Sequence, residues 1–449
     1  MGKIVYSLVI QLYSIAARII SPFNDKAKLW LQGRKDIFSV IAKALANESN
    51  NRIWIHCSSL GEFEQGRPLT EELKKNYPQY SIVLTFFSPS GYEHEKNYEG
   101  ADYIFYMPLD SKNNARRFFD LIQPKLVMFI KYEFWYFYLS EAKERNIPLL
   151  LVSAVFRENQ SFFKWYGNFY RDLLNCFTWL FVQNEASLTL LKKINFKNVC
   201  ISGDTRFDRV LEVANNFKPV AGIQEFCENK TVIVAGSTWL DDDEELDHYA
   251  NTHLEYRFII APHDISEERL KECEKLYHHS IRYSAYIKQT LNEQITNDIN
   301  KQPSTLNLKH STFNQQHPTS NIHHPTFNTL IIDNIGMLKY LYRYATVCYV
   351  GGGFGGDGVH NVLEAAVYAK PVVFGPVYEK YLEAIELEQT GGAFSVSNTI
   401  ELEETFDELL HETSAYDTAA WHAGKYVQSK TGATEKVMQY IQANRLLTS

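Results

Sequence analysis

The chain has 449 residues, which is too long for one hydrophobic core and suits two domains of roughly 200 residues each. A hydrophobic fraction of 45% and an aromatic fraction of 14% exclude wholesale disorder. The net charge of −8 excludes a protein that is basic throughout, so we expect no nucleic-acid partner.

The cysteines are scattered along the chain and form no CxxC pair. This spacing argues against a zinc ribbon, a redox motif and a disulfide framework. We therefore expect buried structural thiols in a reducing compartment. The six residues are Cys57, Cys176, Cys200, Cys227, Cys273 and Cys348.

The first 35 residues predict a membrane-associating region. The stretch from Ile4 to Ile20 is apolar, but Gln11, Ser14 and Arg18 interrupt it, and a transmembrane helix needs about 20 apolar residues. Four basic residues follow, namely Lys26, Lys28, Arg34 and Lys35, interleaved with Trp30 and Leu31, as at a membrane interface. A helix packed on the first domain is the alternative.

From residue 36 onward, short apolar runs alternate with helical stretches, which predicts an α/β protein with parallel sheets covered on both faces. The alternation pauses near residues 215–230 and restarts, so we expect two doubly wound domains, 36–213 and 214–425, and a final helix, 426–449. Ligands of such domains bind beyond the carboxyl ends of the strands, which predicts a cleft between the domains. The predicted strands are 52–57, 81–87, 103–108, 126–130, 148–154, 179–183, 199–203, 231–236, 257–262, 329–333, 347–351 and 371–374.

A polar segment at about 289–328 breaks this alternation. It is rich in Asn, Gln, Thr, Ser and His, and its histidines match no strict metal-binding spacing. We expect a flexible surface insertion, because so few apolar residues cannot offset the entropy of ordering.

The first candidate for chemistry follows the strand at 52–57 and reads Ser58-Ser59-Leu60-Gly61-Glu62. Glycine allows a ligand to approach closely, and a carboxylate in a partly desolvated turn is suited to act as a general base. However, Ser59-x-x-Glu62 is also a capping-box pattern for the following helix, and the spacing does not decide between the two.

Two further polar groups follow strands in the first half. Glu133 follows the strand at 126–130 among aromatic residues, where it could position sugar hydroxyls, pair with Lys131 or cap a helix. Arg206 follows the strand at 199–203, where it could bind an anion across the cleft or form a solvated salt bridge between the domains.

In the second half, Gly236-Ser237-Thr238 ends the first strand, and acidic residues follow at 241–245. Small hydroxyl residues that open a helix can donate hydrogen bonds to a phosphate. N-capping by Ser237 or Thr238 is the alternative.

The most informative motif is the loop at 351–358, which contains six glycines and follows a strand. Backbone amides in such a loop, with the dipole of a following helix, make a phosphate site. Glu364 could accept hydrogen bonds from a ribose diol, although Asn361-x-x-Glu364 is equally a pattern that caps a helix. Neither a Walker motif nor a ribose-binding acid after the next strand is present, so the loop is weak evidence for NAD.

Taken together, these motifs resemble the Kdo (3-deoxy-D-manno-octulosonic acid) transferases of lipid A assembly, and their order runs over nearly the whole chain. The resemblance is carried by His56 with Ser59-x-Gly61-Glu62, Glu133-Phe134-Trp135, Gly203-x-x-Arg206-Phe207-Asp208, Gly236-Ser237-Thr238, Gly351-Gly352, His360-Asn361-x-Leu363-Glu364 and Lys370-Pro371-Val372-x-Phe374-Gly375-Pro376.

The resemblance implies a glycosyltransferase-B fold, with two Rossmann-like domains facing an interdomain cleft and the last helix crossing back to the first domain. It implies an inverting, metal-independent transferase without a cofactor, which moves Kdo from CMP-Kdo to a lipid A precursor at the cytoplasmic side of the inner membrane. The catalytic base it implies is Glu62. The acceptor residues are Ser59, Gly61, Glu133 and Arg206; the donor residues are Gly236, Ser237, Thr238, His263, Gly351, Gly352, Gly353, His360, Asn361, Glu364 and Gly375.

The sequence departs from the family pattern at three positions. Lys131 stands where an acidic residue is usual, and Val155 stands where a basic residue is usual, for which Arg157 could substitute. The usual Pro-Arg-His is replaced at 262–264, so that His263 or Arg269 would have to supply one phosphate contact. The alternative function is a soluble sugar-nucleotide epimerase of the same two-domain class, which would need neither an acceptor nor the apolar N-terminus.

Overall fold

The computed structural model describes residues 2–46, 51–290 and 327–448. The chain divides into two compact units, here called unit 1 (residues 1–209 and 430–449) and unit 2 (residues 210–429). Most of the segment that was expected to be an insertion, including its histidines, lies outside the described residues.

Unit 1 is built on a parallel sheet of seven strands among the described residues, in the order β3-β2-β1-β4-β5-β6-β7. The central strands are almost entirely buried, which explains their near-continuous apolar sequences. The strands are β1 (Arg52–Cys57), β2 (Ser81–Phe86), β3 (Tyr103–Tyr106), β4 (Pro124–Ile130), β5 (Leu149–Ala154), β6 (Trp179–Val182) and β7 (Val199–Ile201).

Helices cover both faces of this sheet. In β1, Ile53 and Ile55 pack into one core and Trp54 into the other, as the two-residue period of a strand requires. The helices are α1 (Gly2–Ile20), α2 (Asp25–Gln32), α3 (Ile37–Ala44), α4 (Leu60–Asn76), α5 (Pro89–Glu95), α6 (Lys112–Ile122), α7 (Tyr136–Glu144), α8 (Asn168–Leu174), α9 (Glu185–Lys193) and α10 (Thr205–Asn215), with a 3₁₀ turn at Ser161–Phe163.

Unit 2 repeats this plan with a seven-stranded parallel sheet in its described residues, in the order β10-β11-β9-β8-β12-β13-β14. The strands are β8 (Val232–Thr238), β9 (Arg257–Pro262), β10 (Ser280–Arg282), β11 (Thr329–Ile331), β12 (Val347–Val350), β13 (Val372–Phe374) and β14 (Ala393–Ser395). The helices are α11 (Ile223–Cys227), α12 (Leu240–Thr252), α13 (Glu267–Leu276), α14 (Leu338–Leu341), α15 (Leu363–Ala366), α16 (Leu382–Gln389), α17 (Thr399–His411) and α18 (Thr413–Lys430), with a 3₁₀ turn at Tyr342–Tyr344. Residues 283–290 are also helical.

The two predicted doubly wound α/β sheets are confirmed. The sequence missed β10 and β14, which have three residues each and lie at the edges of their sheet. Neither is a continuous apolar run, since they read Ser-Ile-Arg and Ala-Phe-Ser. The strand order reverses between β1 and β4 in unit 1 and between β8 and β12 in unit 2, and ligands of doubly wound sheets bind at such switch points.

The last helix, α19 (Ala433–Ala443), belongs to unit 1. Val437 and Ile441 enter the same core as Ile53 of β1. The carboxylate of Asp208 accepts hydrogen bonds from the backbone N–H groups of Gly432 (2.6 Å) and Thr434 (2.7 Å). Asp208 therefore anchors the beginning of this helix.

Helix α1 is long and apolar enough to cross a membrane by length and composition, and it is the one such helix among the described residues. One of its sides nevertheless contacts unit 1. The Tyr6 hydroxyl donates a hydrogen bond to the buried carboxylate of Asp110, and the ring of Tyr13 packs on Trp30 and Phe87. The opposite side exposes aliphatic side chains to solvent.

All six cysteines are free thiols. Four of them are buried, namely Cys57, Cys227, Cys273 and Cys348, as expected for structural thiols. Within the described ranges, no group of three or more His, Cys, Asp or Glu side chains is placed to hold a metal ion.

Candidate functional site

Glu62 lies in the first turn of α4, directly beyond the carboxyl end of β1. Its Oε2 atom accepts hydrogen bonds from the backbone N–H of Ser59 (2.8 Å) and from the Ser59 hydroxyl (3.1 Å). The capping contact that the sequence left as an alternative is therefore formed. Among the residues that the structure describes, no donor lies within hydrogen-bonding distance of Glu62 Oε1. The Oε2 atom therefore caps α4, and the Oε1 atom remains available to accept a proton.

The pKa of Glu62 is raised above the ordinary value for a glutamate. Burial is the largest cause, and the negative charge of Glu133 is the next; the hydrogen bonds from Ser59 and the ring of His56 act in the opposite direction. Both leading causes disfavour the ionised form. A carboxylate with a raised pKa is a stronger base than an exposed glutamate, which suits proton abstraction.

Glu133 lies just beyond the carboxyl end of β4, and it is only 6% exposed. Its Oε2 atom accepts hydrogen bonds from His56 Nε2 (3.1 Å) and from the indole N–H of Trp135. The sequence left two structural roles open for Glu133, pairing with Lys131 and capping a helix, and neither is observed. Its ion-pair partner is His56 instead of Lys131. The residue at the N-cap position of α7 is Trp135 instead of Glu133. The strand order explains the contact with His56, because β1 and β4 are neighbours.

His56 belongs to a hydrogen-bonded chain that runs from the core of unit 1 to this carboxylate. The Trp54 indole N–H donates to Thr85 Oγ1 (2.8 Å), and Thr85 Oγ1 lies 2.8 Å from His56 Nδ1. His56 Nδ1 also lies 3.1 Å from the backbone carbonyl oxygen of Thr85, and His56 Nε2 faces Glu133. The sequence matched His56 to the family but did not assign it this contact.

Arg206, an expected acceptor residue, is held within unit 1. Its Nε and Nη2 atoms donate to Asp204 Oδ2 at 2.9 and 2.8 Å, and Asp204 is only 5% exposed. Tyr132 lies in the electrostatic neighbourhood of Arg157, Arg206 and Glu62, and burial raises its pKa. Sequence reasoning did not select Tyr132, although its position beside Glu133, after a strand, was an available signal.

Gly61 is exposed in the first turn of α4, and a Cβ atom added there would meet no protein atom within 4 Å. Glycine in a helix is less favourable than alanine, so packing within the protein gives no reason for this residue. The open space beside Glu62 suits a ligand that approaches the backbone closely.

The glycines of unit 2 have a different environment. A Cβ atom on Gly353 would lie 2.5 Å from the backbone nitrogen of Gly375, and one on Gly351 would lie 2.5 Å from the carbonyl oxygen of Ser237. A side chain on Gly236 would collide with the hydroxyl of Tyr342. These glycines bring the ends of β8, β12 and β13 into close contact, and their spacing is set by packing of the backbone.

The amide groups of the glycine loop are partly engaged within unit 2. The N–H of Gly351 donates to Gly236 O (2.9 Å), and the N–H of Gly352 donates to Asp242 Oδ2 (2.8 Å). Asp242 is fully buried, and it also accepts from the Trp239 N–H (2.9 Å) and the Tyr349 hydroxyl (2.8 Å). These two amides are therefore occupied by protein acceptors. Sequence analysis noted the acidic residues at 241–245 but missed the support that Asp242 gives to the loop.

Three aromatic rings at the same edge of the unit 2 sheet form a stack. The Trp239 ring lies 4.5 Å from the His263 ring, and His263 lies 4.5 Å from His360 with an angle of 15° between the planes. The Trp239 indole N–H donates to His360 Nε2 (3.2 Å), which places the proton of a neutral His360 on Nδ1. Burial and the neighbouring His263 lower the pKa of His360 to about 4, so this ring is uncharged at neutral pH.

Two helix starts in unit 2 differ from those that the sequence suggested. Trp239 occupies the N-cap position of α12, so the alternative of capping by Ser237 or Thr238 does not hold; β8 continues to Thr238, and the φ of Ser237 is +56°. The glycine loop does not lead directly into a helix either: α15 begins only at Leu363 and has four residues. Its dipole therefore contributes little to an anion site.

The other residues expected to bind the donor lie in different surroundings. Asn361 Oδ1 accepts from the Leu363 N–H (3.3 Å), and Asn361 Nδ2 donates to Glu364 Oε1 (3.1 Å), as expected for local support of a helix start. Arg269, one of the two residues suggested to replace a missing phosphate contact, is buried and ion-paired with Asp243. His263 is the other, and it lies in the aromatic stack.

Comparison with known proteins supports one family. Residues 33–209 match the family model described as 3-deoxy-D-manno-octulosonic-acid transferase (kdotransferase). The 3-deoxy-D-manno-octulosonic acid transferase of Aquifex aeolicus is 26% identical over 384 residues, which cover 83% of this chain and 91% of the relative. The protein of the same name from Haemophilus influenzae is 22% identical over 407 residues, covering 87% and 86%. The chain is similar to Kdo transferases over most of its length, and these findings support that family for it.

Solved structures agree on the fold. The UDP-GlcNAc 2-epimerase of Neisseria meningitidis has a TM-score of 0.58 and 16% identity, covering 87% of this chain and 100% of the epimerase. MurG from Acinetobacter baumannii has a TM-score of 0.52 and 12% identity, covering 88% of this chain and 99% of MurG. At these identities the likeness concerns the fold alone. The chain is a glycosyltransferase with the expected glycosyltransferase-B fold.

Proposed function

We propose that this chain transfers Kdo from CMP-Kdo to a lipid A precursor, the tetraacyldisaccharide 4'-phosphate, in lipopolysaccharide biosynthesis. The main support for the proposal is the carboxylate of Glu62, which uses only one of its two oxygens in the capping contact. Its pKa is raised, and it lies at the switch point of the unit 1 sheet. Similarity to the Kdo transferase family supports the choice of the transferred sugar.

Glu62 is the general base in this mechanism. Its Oε1 atom takes the proton from a primary hydroxyl of the acceptor sugar while the hydroxyl oxygen forms a bond to the anomeric carbon of Kdo. The bond between that carbon and the phosphate oxygen of CMP breaks in the same step, and CMP leaves with the electron pair. A single displacement of this kind inverts the anomeric configuration, and it needs no metal to generate the nucleophile.

Glu133 acts on the base and does not replace it. Its Oε2 atom already accepts from His56 and Trp135, so its position is determined by the core of unit 1. Its negative charge helps to hold the pKa of Glu62 above the ordinary range. Gly61 leaves open space beside Glu62 for the acceptor, and Arg206 and Tyr132 are neighbouring polar groups.

Unit 2 holds the donor in this proposal. The tightly packed glycine loop and the strained backbone of Ser237 shape the ends of β8 and β12. The rings of Trp239, His263 and His360 offer a stacking surface for the cytosine base or the sugar. The neutral His360 can donate from Nδ1 to a phosphate oxygen without adding a charge.

A lipid acceptor agrees with the surface of unit 1. Helix α1 exposes aliphatic side chains such as Ile4 and Ile19, and Phe23 and Trp165 are each 90% exposed. A groove of about 880 Å³ beside α1 is walled by apolar and aromatic residues, among them Phe134, which directly follows Glu133. Exposed apolar and aromatic side chains on one unit are typical of contact with a membrane interface. We place the enzyme at the cytoplasmic face of the inner membrane.

The test is turnover by the purified full-length chain in detergent with CMP-Kdo and the tetraacyldisaccharide 4'-phosphate. We expect release of CMP and a lipid product heavier by one or more Kdo units, with inverted anomeric configuration and with unchanged rate in the presence of a chelator. Absence of the lipid product would overturn the proposal. Conversion of a UDP-sugar without any acceptor would establish the epimerase alternative instead.

A further inference from the structure

A second pocket of unit 1 lies apart from Glu62 and has a volume of about 750 Å³. The end of α1, the turn between α2 and α3 and the beginning of α6 enclose it. Four cationic side chains line it, namely Arg18, Arg34, Lys35 and Arg117. Asp36 supplies the single carboxylate among the lining residues. None of these four forms an ion pair with a carboxylate anywhere in the described ranges. The pocket therefore concentrates positive charge that the protein itself does not neutralise.

Arg34 is fixed in place before any ligand binds. Its guanidinium donates to three backbone oxygens, those of Met107 (3.0 Å), Trp30 (3.1 Å) and Phe87 (2.6 Å). It also lies over the Trp30 ring, 4.1 Å from the centroid. Burial lowers the pKa of Arg34 to about 9, so it remains cationic at neutral pH. A desolvated cation that meets only neutral acceptors gains much from an anion.

Two further residues that line the pocket, Trp30 and Ser39, carry hydrogen-bond donors. The indole N–H of Trp30, a residue that is only 5% exposed, has no acceptor in the part of the chain that the structure describes. Ser39, which carries a hydroxyl, also lines the pocket. Arg117 is held at the rim by its contact with the Phe38 ring, 4.1 Å from the centroid. Several guanidinium and hydroxyl donors around one small volume match the oxygens of a phosphate group.

We propose that this pocket binds the phosphate monoester of a lipid headgroup. Ser14 and Arg18 reach it from α1, the helix whose outer side chains are apolar and exposed, so a phosphate attached to a lipid can enter from that side. The phosphate belongs either to the acceptor lipid or to a lipid of the surrounding bilayer. Its assignment to the acceptor rests on the proposed function, whereas the phosphate site itself does not.

The variant Arg117→Gln tests the site, and Arg116→Gln is its matched control. Both arginines are exposed neighbours on α6 with the same charge, but only Arg117 lines the pocket. In the full-length protein at low ionic strength, we expect Arg117→Gln to weaken the binding of inorganic phosphate about tenfold, the effect of losing one charge-assisted contact. Arg116→Gln should bind as the wild type does. Equal losses in the two variants, or no loss in either, would overturn the site.

Two further measurements identify the source of the phosphate. If Arg117→Gln raises KM for the acceptor but not for its 4'-dephosphorylated form, the site takes the acceptor phosphate. If KM is unchanged but binding to phosphatidylcholine vesicles loses its dependence on added phosphatidic acid, the site takes a bilayer headgroup. A KM raised equally for both acceptors would contradict a phosphate contact. If the wild type shows no turnover, the proposed function fails, and the phosphate and vesicle measurements still decide the site.

Discussion

Glu62 in unit 1 and Asp242 in unit 2 occupy the same local position with different outcomes. Each lies in the first turn of a helix that follows the central strand β1 or β8, and each accepts a hydrogen bond from the backbone N–H of the residue before that helix, Ser59 or Trp239. Burial raises the pKa of both carboxylates. Position in the helix and desolvation therefore do not distinguish a reactive carboxylate from a structural one.

The surroundings distinguish them. Asp242 is fully buried, and both its oxygens accept from protein donors on β12 and the glycine loop. Glu62 is half-buried, and its contacts with Ser59 use a single oxygen. A carboxylate whose acceptor capacity is filled stabilises the fold, whereas one with an unused oxygen and a raised pKa can take a proton from a ligand.

The largest effect on the rate of transfer is expected for Glu62→Gln. The amide oxygen can still accept a hydrogen bond from the Ser59 N–H, so the melting temperature should change no more than it does for an ordinary surface substitution. The amide cannot take a proton, and we expect transfer to slow by about 10²–10⁴-fold. Glu64→Gln, two residues further along α4, is the control and should keep its activity. A large loss of stability in Glu62→Gln would make it a structural residue like Asp242.

Asp242→Asn should give the opposite result. The amide can satisfy only some of the donors from Gly352, Trp239 and Tyr349, and its NH₂ group faces at least one of them. We expect a loss of about 1–3 kcal/mol in the free energy of unfolding and weaker binding of CMP, measured by thermal unfolding and titration. Asp241→Asn, its exposed neighbour, should change neither. An unchanged melting temperature would remove the contrast with Glu62.

Glu133→Gln tests the electrostatic part of the comparison through pH. The base works when ionised, so the wild-type rate falls as pH decreases through the raised pKa of Glu62. Removing the negative charge of Glu133 lowers that pKa, and the acid limb of kcat/KM should move to lower pH. The new amide retains an oxygen for His56 and Trp135, so folding should be preserved. A limb that stays in place would show that burial alone raises the pKa.

The smallest changes in stability and KM are expected for substitutions of the glycines. Gly61→Ala meets no protein atom, and we expect it to increase stability by up to about 1 kcal/mol while raising KM for the acceptor. Gly353→Ala should lower stability, because its Cβ would lie 2.5 Å from the backbone of Gly375. Thermal unfolding and acceptor kinetics of both variants check this contrast. An unchanged KM in Gly61→Ala would separate Gly61 from the acceptor site.

Local pattern in the sequence predicted much of the fold. The apolar runs gave twelve strands with small errors at their ends, since a buried parallel strand needs a continuous apolar sequence whatever its neighbours are. The positions of Glu62 and Glu133 at strand ends were also readable, because a strand boundary is a local property. The capping contact of Ser59 with Glu62 is local as well, and it forms as the spacing indicated.

The contacts that give these residues their properties span long distances in the chain. His56 and Glu133 are 77 positions apart and meet because β1 pairs with β4; Asp242 and Gly352 are 110 apart and meet because β8 pairs with β12. The phosphate pocket likewise combines α1, α3 and α6. Local sequence was enough to locate the residues that end the strands and the family that they resemble. The folded chain is needed to see which carboxylate is saturated by donors and which keeps a free oxygen, because strand order brings the donors together and no local pattern encodes that order.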